Sequence, residues 1–250
     1  MISVCMATYN GERFIKEQID SILCQLSPDD EFIISDDGST DRTLEIIASY
    51  NDARIKVLHH KKNPKLAKVK HSRNFYYATE NFGNALKEAK GEYIFLSDQD
   101  DVWLPEKKDR MIARLEKSGA DCAMCNFSLI DENGGKTGKL GFEKNPNLNS
   151  LVSKVLHSRL IGSSMALKKE LLNFSLPFPG NLIAHDLWIG CLARKMIFID
   201  EPLTLYRRYG GNVSSGVGKS PNSLFYKILY RLKFLRFVFI RKLFGIKKLF

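Results

Sequence analysis

The chain has 250 residues, with 38 Lys and Arg against 28 Asp and Glu, a formal charge of +10 and 44% hydrophobic residues. That composition fits one globular α/β domain with an addition and excludes a low-complexity or disordered chain. Nine basic residues and no acid lie in 219–250, and "HHKKNPKLAKVKHSR" (59–73) is also free of acids, so the basic excess is confined to two runs and a general nucleic-acid-coating surface is excluded.

The opening "MISVCMATYN" has no basic leader and runs straight into a strand pattern, so no signal peptide is expected. "ISVCMAT" (2–8) reads as a buried strand. In "ERFIKEQIDSILCQL" (12–26), Phe14, Ile15, Ile19, Ile22 and Leu23 recur at helical spacing. "EFIISDD" (31–37) is a second strand. "GSTDRTLEIIASY" (38–50) offers Ser39, Thr40 and Asp41 as caps ahead of Leu44, Ile46 and Ile47. "RIKVLHH" (54–60) is a third strand, "TENFGNALKEAKG" (79–91) a helix closed by Gly91, and "EYIFLSD" (92–98) a fourth strand. A further helix starts near Pro105, a residue favoured in a first helical turn. Alternating strands and helices predict a mainly parallel sheet with helices on both faces.

"ADCAMCNFSLI" (120–130) is an apolar strand carrying a C-x-x-C, and residues three apart on a strand point to opposite faces. Neither a zinc nor a redox role is expected of Cys122 and Cys125. The five cysteines, odd in number and scattered, predict reduced thiols and a cytoplasmic location. After "DENGG", a hairpin turn, come a helix around 149–158, a strand at "SSMALKK" (163–169) and a short helix at "AHDLWIGCLARK" (184–195).

Three acidic or polar loops follow expected strands: "TYNGE" (8–12), "SDDGSTD" (35–41) and "SDQDD" (97–101). In an open parallel sheet, ligands bind beyond the carboxyl ends of the strands, so the three loops are expected to face one crevice. Tyr9 offers an aromatic face to a base, and Asp37 can accept from a base N–H or a hydroxyl. Asp98 and Asp100, two apart, can point to one side of an extended segment. Asp98, Asp100 and Asp101 repel one another unless a cation or hydrogen-bond donors offset them. Carboxylate oxygens suit Mg²⁺ or Mn²⁺, which bridge protein acids to a diphosphate and so explain acids in an anion site.

The stretches "SVCMATYNGERFIKEQIDSIL", "IISDDGSTDRT", "ALKEAKGEYIFLSDQDDVWLPEK" and "HDLWIG…FIDEPLTLYRR" resemble the inverting family 2 glycosyltransferases of GT-A fold. The likeness spans roughly residues 1–215 and is nearest to bacterial O-antigen, capsule and rhamnosyltransferase-like members. It implies a nucleotide-sugar donor, UDP- or dTDP-linked, and direct displacement at the anomeric carbon. Tyr9, Glu12 and Asp37 would hold the nucleoside, Asp98 would lie near the ribose or diphosphate, and Asp100 would bind Mg²⁺ or Mn²⁺ with Asp101 behind it. Asp186 matches the catalytic base, with an N-cap as the competing and compatible role. Arg207 and Arg208 are candidates for contact with the diphosphate, with plain surface charge as the alternative. Relatives often carry a histidine where this chain has Tyr209, a poor ligand for Mg²⁺. The run 59–73 reads as a flap over the donor or as a solvated loop. A sugar-1-phosphate nucleotidyltransferase would need a Gly-rich loop after the first strand, and "TYNGERF" has one glycine. A nucleic-acid-binding protein, suggested by the charge, would need a recognition motif that the sequence lacks.

The division expected is a catalytic domain over 1–218, with a nucleotide-sugar half (1–101) and an acceptor half (102–218), followed by a basic amphipathic helical tail over 219–250. No stretch of about 18 uncharged residues exists in that tail. Its aromatic, aliphatic and basic content predicts a helix lying on the anionic inner face of the cell membrane, near a lipid-linked saccharide acceptor. Packing on its own domain or on a second copy is the alternative.

Overall fold

Nine strands form one sheet in the computed structural model, which describes residues 1–69, 72–148, 150–157, 160–210 and 224–245, with backbone alone at 157 and 224–227. Strands β1 (Ile2–Thr8), β2 (Glu31–Asp36), β3 (Ile55–His59) and β4 (Tyr93–Asp98) are mutually parallel, in the order β3-β2-β1-β4. The sheet continues through β8 (Met165–Lys168), β6 (Cys122–Ile130) and β9 (Met196–Arg207) to β5 (Val102–Trp103), and β7 (Lys136–Leu140) forms a hairpin with β6. β8 runs antiparallel between β4 and β6, while β6 and β9 are parallel with a register shift near Cys125–Phe127. The parallel block anticipated from the alternation is therefore extended by a mixed half.

Helices cover both faces because each strand alternates its side chains. On one face Val4, Met6, Phe32, Ile34 and Phe95 pack with Ile15, Ile19 and Ile22 of α1 (Ile15–Leu23) and Met111 and Leu115 of α4 (Lys107–Ser118); α2 (Thr43–Ala48) adds Ile47. On the other, Cys5, Ile33, Ile94 and Leu96 meet Phe82 and Leu86 of α3 (Arg73–Glu88) and Leu187 and Trp188 of α7 (His185–Leu192). Cys122 belongs to the second core and Cys125 to the first, so the C-x-x-C is split by the sheet.

Two short helices, α5 (Leu151–His157) and α6 (Lys169–Ser175), and the long α8 (Leu224–Phe244) complete the second face. α8 is not a detached tail. Its Phe234 and Val238 are buried in the same core, with Phe234 edge-on to Trp188 at 6.3 Å. Buried Arg241 donates to the carbonyls of Phe174, Leu176 and Pro177, at 2.9, 3.0 and 2.6 Å. The boundary expected at 218/219 lies outside the described residues.

Candidate active site

Parallel pairing sets the ends of β1, β2 and β4 side by side: Ala7 is opposite Ser35 and Asp98, and Thr8 is opposite Asp36. The three loops that follow are stitched together. The Thr8 carbonyl accepts from Asp37 N at 2.9 Å and from Asn81 Nδ2 at 3.2 Å. Gln99 Oε1 accepts from Thr8 Oγ1 (2.5 Å) and Tyr9 N (2.9 Å), and its Nε2 donates to Tyr9 O (3.1 Å). Asn10 joins Ser39 and Thr40. Gly11 is required by proximity, since a Cβ there would stand 2.5 Å from Gln99 Oε1.

These loops form one side of a cavity of about 1000 Å³ that Tyr9, Asp37, Asp98, Asp100 and Asp186 all line. Tyr9 is 46% exposed, with Lys62 Nζ 3.1 Å from its ring centroid, a cation–π contact. Asp37 is buried, 2.8 Å from His60 Nδ1 and 3.8 Å from Lys62 Nζ. Of the basic run, Lys62 and Arg73 line the cavity, and Lys62 covers the Tyr9 ring. Glu12 is not among the lining residues. Its carboxylate accepts from Arg42 N at 3.0 Å and its amide donates to Asp41, which also receives Thr43 N, so Glu12 ties the first loop to the start of α2.

The acids at the centre are held against their preference. Burial, then the charges of Asp101, Asp100 and Asp186, raises the Asp98 carboxyl well above its ordinary range. Burial and Asp100 push Asp101 up to about 7. Burial likewise lifts Asp186 to about 6, against N–H donors from Leu187 (2.7 Å) and Gly162. Buried Lys107 opposes this repulsion from below. Its ammonium donates to Ser163 O and Thr204 Oγ1, both at 2.8 Å, and sits 4.5 Å over the Trp103 ring.

Arg207 does not face the cavity. It is 2% exposed, and its guanidinium is directed to Glu17 Oε2 (2.5 Å) and to the carbonyls of Asp100, Asp131 and Glu132 (3.0, 3.4 and 3.2 Å). Its own N–H donates to Asp101 Oδ1 at 3.1 Å. The diphosphate contact expected of Arg207 is replaced by support of the acidic loop from behind. Tyr209 does line the cavity and hydrogen-bonds the Asp100 carboxylate; burial, followed by that carboxylate, keeps the phenol protonated well above its usual range.

Among the described residues, no three His, Cys, Asp or Glu side chains are grouped as a metal cage. Asp98 and Asp100 nonetheless suit a hard cation that takes its other oxygens from a diphosphate and water. A cation there would offset both the burial and the neighbouring carboxylate charges that raise Asp98.

Asp186 enters from the opposite wall, in the first turn of α7. The N-cap position belongs to Ala184, whose φ of +67° is strained for a residue with a Cβ and marks the entry to the pair His185–Asp186. His185 stacks on Phe82, with centroids 4.0 Å apart, and burial lowers it to about 3, so the ring is neutral. A neutral imidazole of that basicity is no base for an alcohol. Gln99, Lys107 and Tyr230, which lines the cavity from α8, carried no assigned role in the sequence reading. Only Gln99, set between acids in "SDQDD", gave a local signal.

The family model for "Glycosyl transferase family 2" matches residues 3–174. The chain is 36% identical over 222 residues to the dTDP-rhamnosyl transferase RfbG of Shigella flexneri, covering 83% of this chain and 72% of that one. It is 29% identical over 194 residues to the UDP-Glc:alpha-D-GlcNAc-diphosphoundecaprenol beta-1,3-glucosyltransferase WfgD of Escherichia coli, covering 77% and 70%. The fold is similar to that of S. aureus TarS 1-349, solved in complex with UDP-GlcNAc, with a TM-score of 0.65, 22% identity and coverage of 94% and 71%.

Proposed function

The chain belongs to glycosyl transferase family 2, and on that footing we propose that it moves a sugar, with inversion, from a UDP- or dTDP-sugar to a hydroxyl of a lipid-linked saccharide in surface polysaccharide synthesis. One observation carries this reading: Asp186 of α7 shares a single cavity with Asp98 and Asp100 of the β4 loop and with Tyr9 and Asp37 at its far end. A general base, a diphosphate-side acid pair and an aromatic base platform are the parts such a transfer needs.

The nucleobase stacks on Tyr9 once Lys62 moves aside, and Asp37 accepts from a base N–H or ribose hydroxyl. Asp98 and Asp100 would hold Mg²⁺ or Mn²⁺, which when bound would supply positive charge to stabilise the departing diphosphate. Asp186 takes the acceptor hydroxyl's proton as that oxygen bonds to the anomeric carbon. The bond to the diphosphate breaks on the opposite face, which inverts the anomeric configuration. With its carboxyl near 6, Asp186 is ionised at neutral pH yet more basic than an exposed aspartate. Tyr209 orients the Asp100 carboxylate, and Lys107 holds the acidic loop together before donor and cation arrive.

Asp186→Asn tests the assignment. Turnover with UDP- and dTDP-sugars should fall about 10²–10⁴-fold while nucleotide affinity by calorimetry is unchanged. A collapse of nucleotide affinity would instead assign Asp186 to the donor site or the fold.

A further inference from the structure

The face that α8 turns away from the domain is the least explained surface of the molecule. Among the described residues, thirteen large apolar side chains are exposed, and eight of them lie on α8 or the adjoining α5, so the exposure is concentrated rather than scattered. At 3.6 residues per turn, Leu232 and Leu243 run along the middle of this face, flanked by Ile228 and Phe239 on one side and Leu229 on the other. Leu232, Phe239 and Leu243 are 58%, 63% and 59% exposed. Lys242 and Lys233 border the apolar stripe at its two edges, and Arg236 lies within it. Val152 and Leu156 of α5 extend the patch, held beside it by Arg231, which donates to the carbonyls of Val155 (3.3 Å) and Leu156 (3.1 Å).

The helix thus has two apolar faces. The inner one, with Phe234 and Val238, is satisfied by the core. We infer that the outer face of α8, together with the exposed side of α5, is a docking surface for an anionic lipid bilayer, with α8 lying in the headgroup plane. An apolar stripe bordered by Lys and Arg is the pattern of a helix that buries its apolar side in the acyl boundary while its cations meet lipid phosphates. No described helix is long and apolar enough to cross a membrane. A second copy fits the face poorly. No acid follows Glu201 in the sequence, so an isologous contact would set basic residues against basic residues without a counter-charge from this segment.

The same helix bounds the catalytic cavity. Tyr230, on its inner side, lines the cavity and donates to Ile183 O at 3.5 Å, one residue before Ala184 and the His185–Asp186 pair. Cavity and bilayer would be separated by one helix, about 10–12 Å. The value of that placement to a lipid-linked acceptor rests on the function proposed above; the docking itself does not.

The test uses the full chain with phosphatidylcholine vesicles, with and without phosphatidylglycerol. Removing the segment is unsuitable because Phe234 and Arg241 hold the fold. Wild-type protein should sediment with the anionic vesicles and be released by high salt. Leu232→Glu with Phe239→Glu, and separately Lys233→Gln with Arg236→Gln and Lys242→Gln, should each weaken binding roughly tenfold or more. Both variants should keep wild-type UDP affinity by calorimetry, which reports the fold and the donor site independently of docking. Phe239→Trp should show a blue-shifted emission on anionic vesicles alone. Absence of wild-type binding, binding that neither set of substitutions alters, or a dimer that Leu232→Glu with Phe239→Glu dissociates without any vesicle binding would overturn the inference.

Discussion

On the side built by the loops after β1, β2 and β4, the cavity wall is cross-linked backbone to side chain: Gln99 clamps residues 8 and 9, Asn10 reaches Ser39 and Thr40, and Glu12 and Asp41 join the loops to α2. The opposite wall, from Gly162, residues 184–186 and Tyr230, has fewer such ties. The hydroxyl of Ser164 and the Nε2 of His185 are buried there without hydrogen-bond partners among the described residues, Ala184 is strained, and the wall is backed by α8 through apolar packing and Arg241. A preorganised wall suits a ligand with fixed chemistry, a nucleoside diphosphate. A wall set by packing can change its substrate with a few side chains while the carboxylate proposed as the base stays in place.

The sharpest break in this comparison is Asp100→Ala on the cross-linked side. It should abolish Mn²⁺-dependent nucleotide binding and lower turnover about 10²–10³-fold with the melting temperature retained. Mn²⁺-dependent binding that survives would move the cation elsewhere. On the packed side, Arg241→Met removes the donor to three partly buried carbonyls and should cost about 1–3 kcal/mol in chemical denaturation. Below its lowered unfolding midpoint, the variant should lose transfer while keeping nucleotide affinity.

The pH profile separates the walls more finely. As the proposed base Asp186 must be deprotonated, and burial lifts it to about 6, so kcat at saturating donor should rise roughly tenfold per pH unit below 6 and level off above 7. A flat profile from pH 5 to 8 would argue against Asp186 as the base. The smallest effect is expected at Lys62. Its ammonium covers the Tyr9 ring, where a base would stack, so Lys62→Ala should tighten binding of a free nucleoside by about two- to fivefold. Weaker nucleoside binding in that variant would show that Lys62 contacts the base itself.

Much of the cross-linked wall was legible in the amino-acid sequence, because its information is local. Strand alternation places β1, β2 and β4, and each carries cavity-lining residues within a few positions of its end, so the places of Tyr9, Asp37, Asp98 and Asp100 follow from short-range periodicity and the rule for open parallel sheets. Helical spacing likewise identifies α1 and its buried Ile15, Ile19 and Ile22. Arg207 shows where that reasoning ends. The family resemblance makes Arg207 a candidate for the diphosphate, but β9 pairs beside β6 and β5, which turns Arg207 inward under the Asp100–Asp101 loop, where Glu17 and three carbonyls surround its charge. Glu12 was set to bridging loops rather than lining the cavity by contacts with Asp41 and Arg42, distant in sequence. The basic, apolar composition of α8 determined that it would be amphipathic. Which of its sides meets the protein and which is left exposed was decided by packing against Trp188 and by the carbonyls that receive Arg241, and pairing between distant segments cannot be read from the period of one helix.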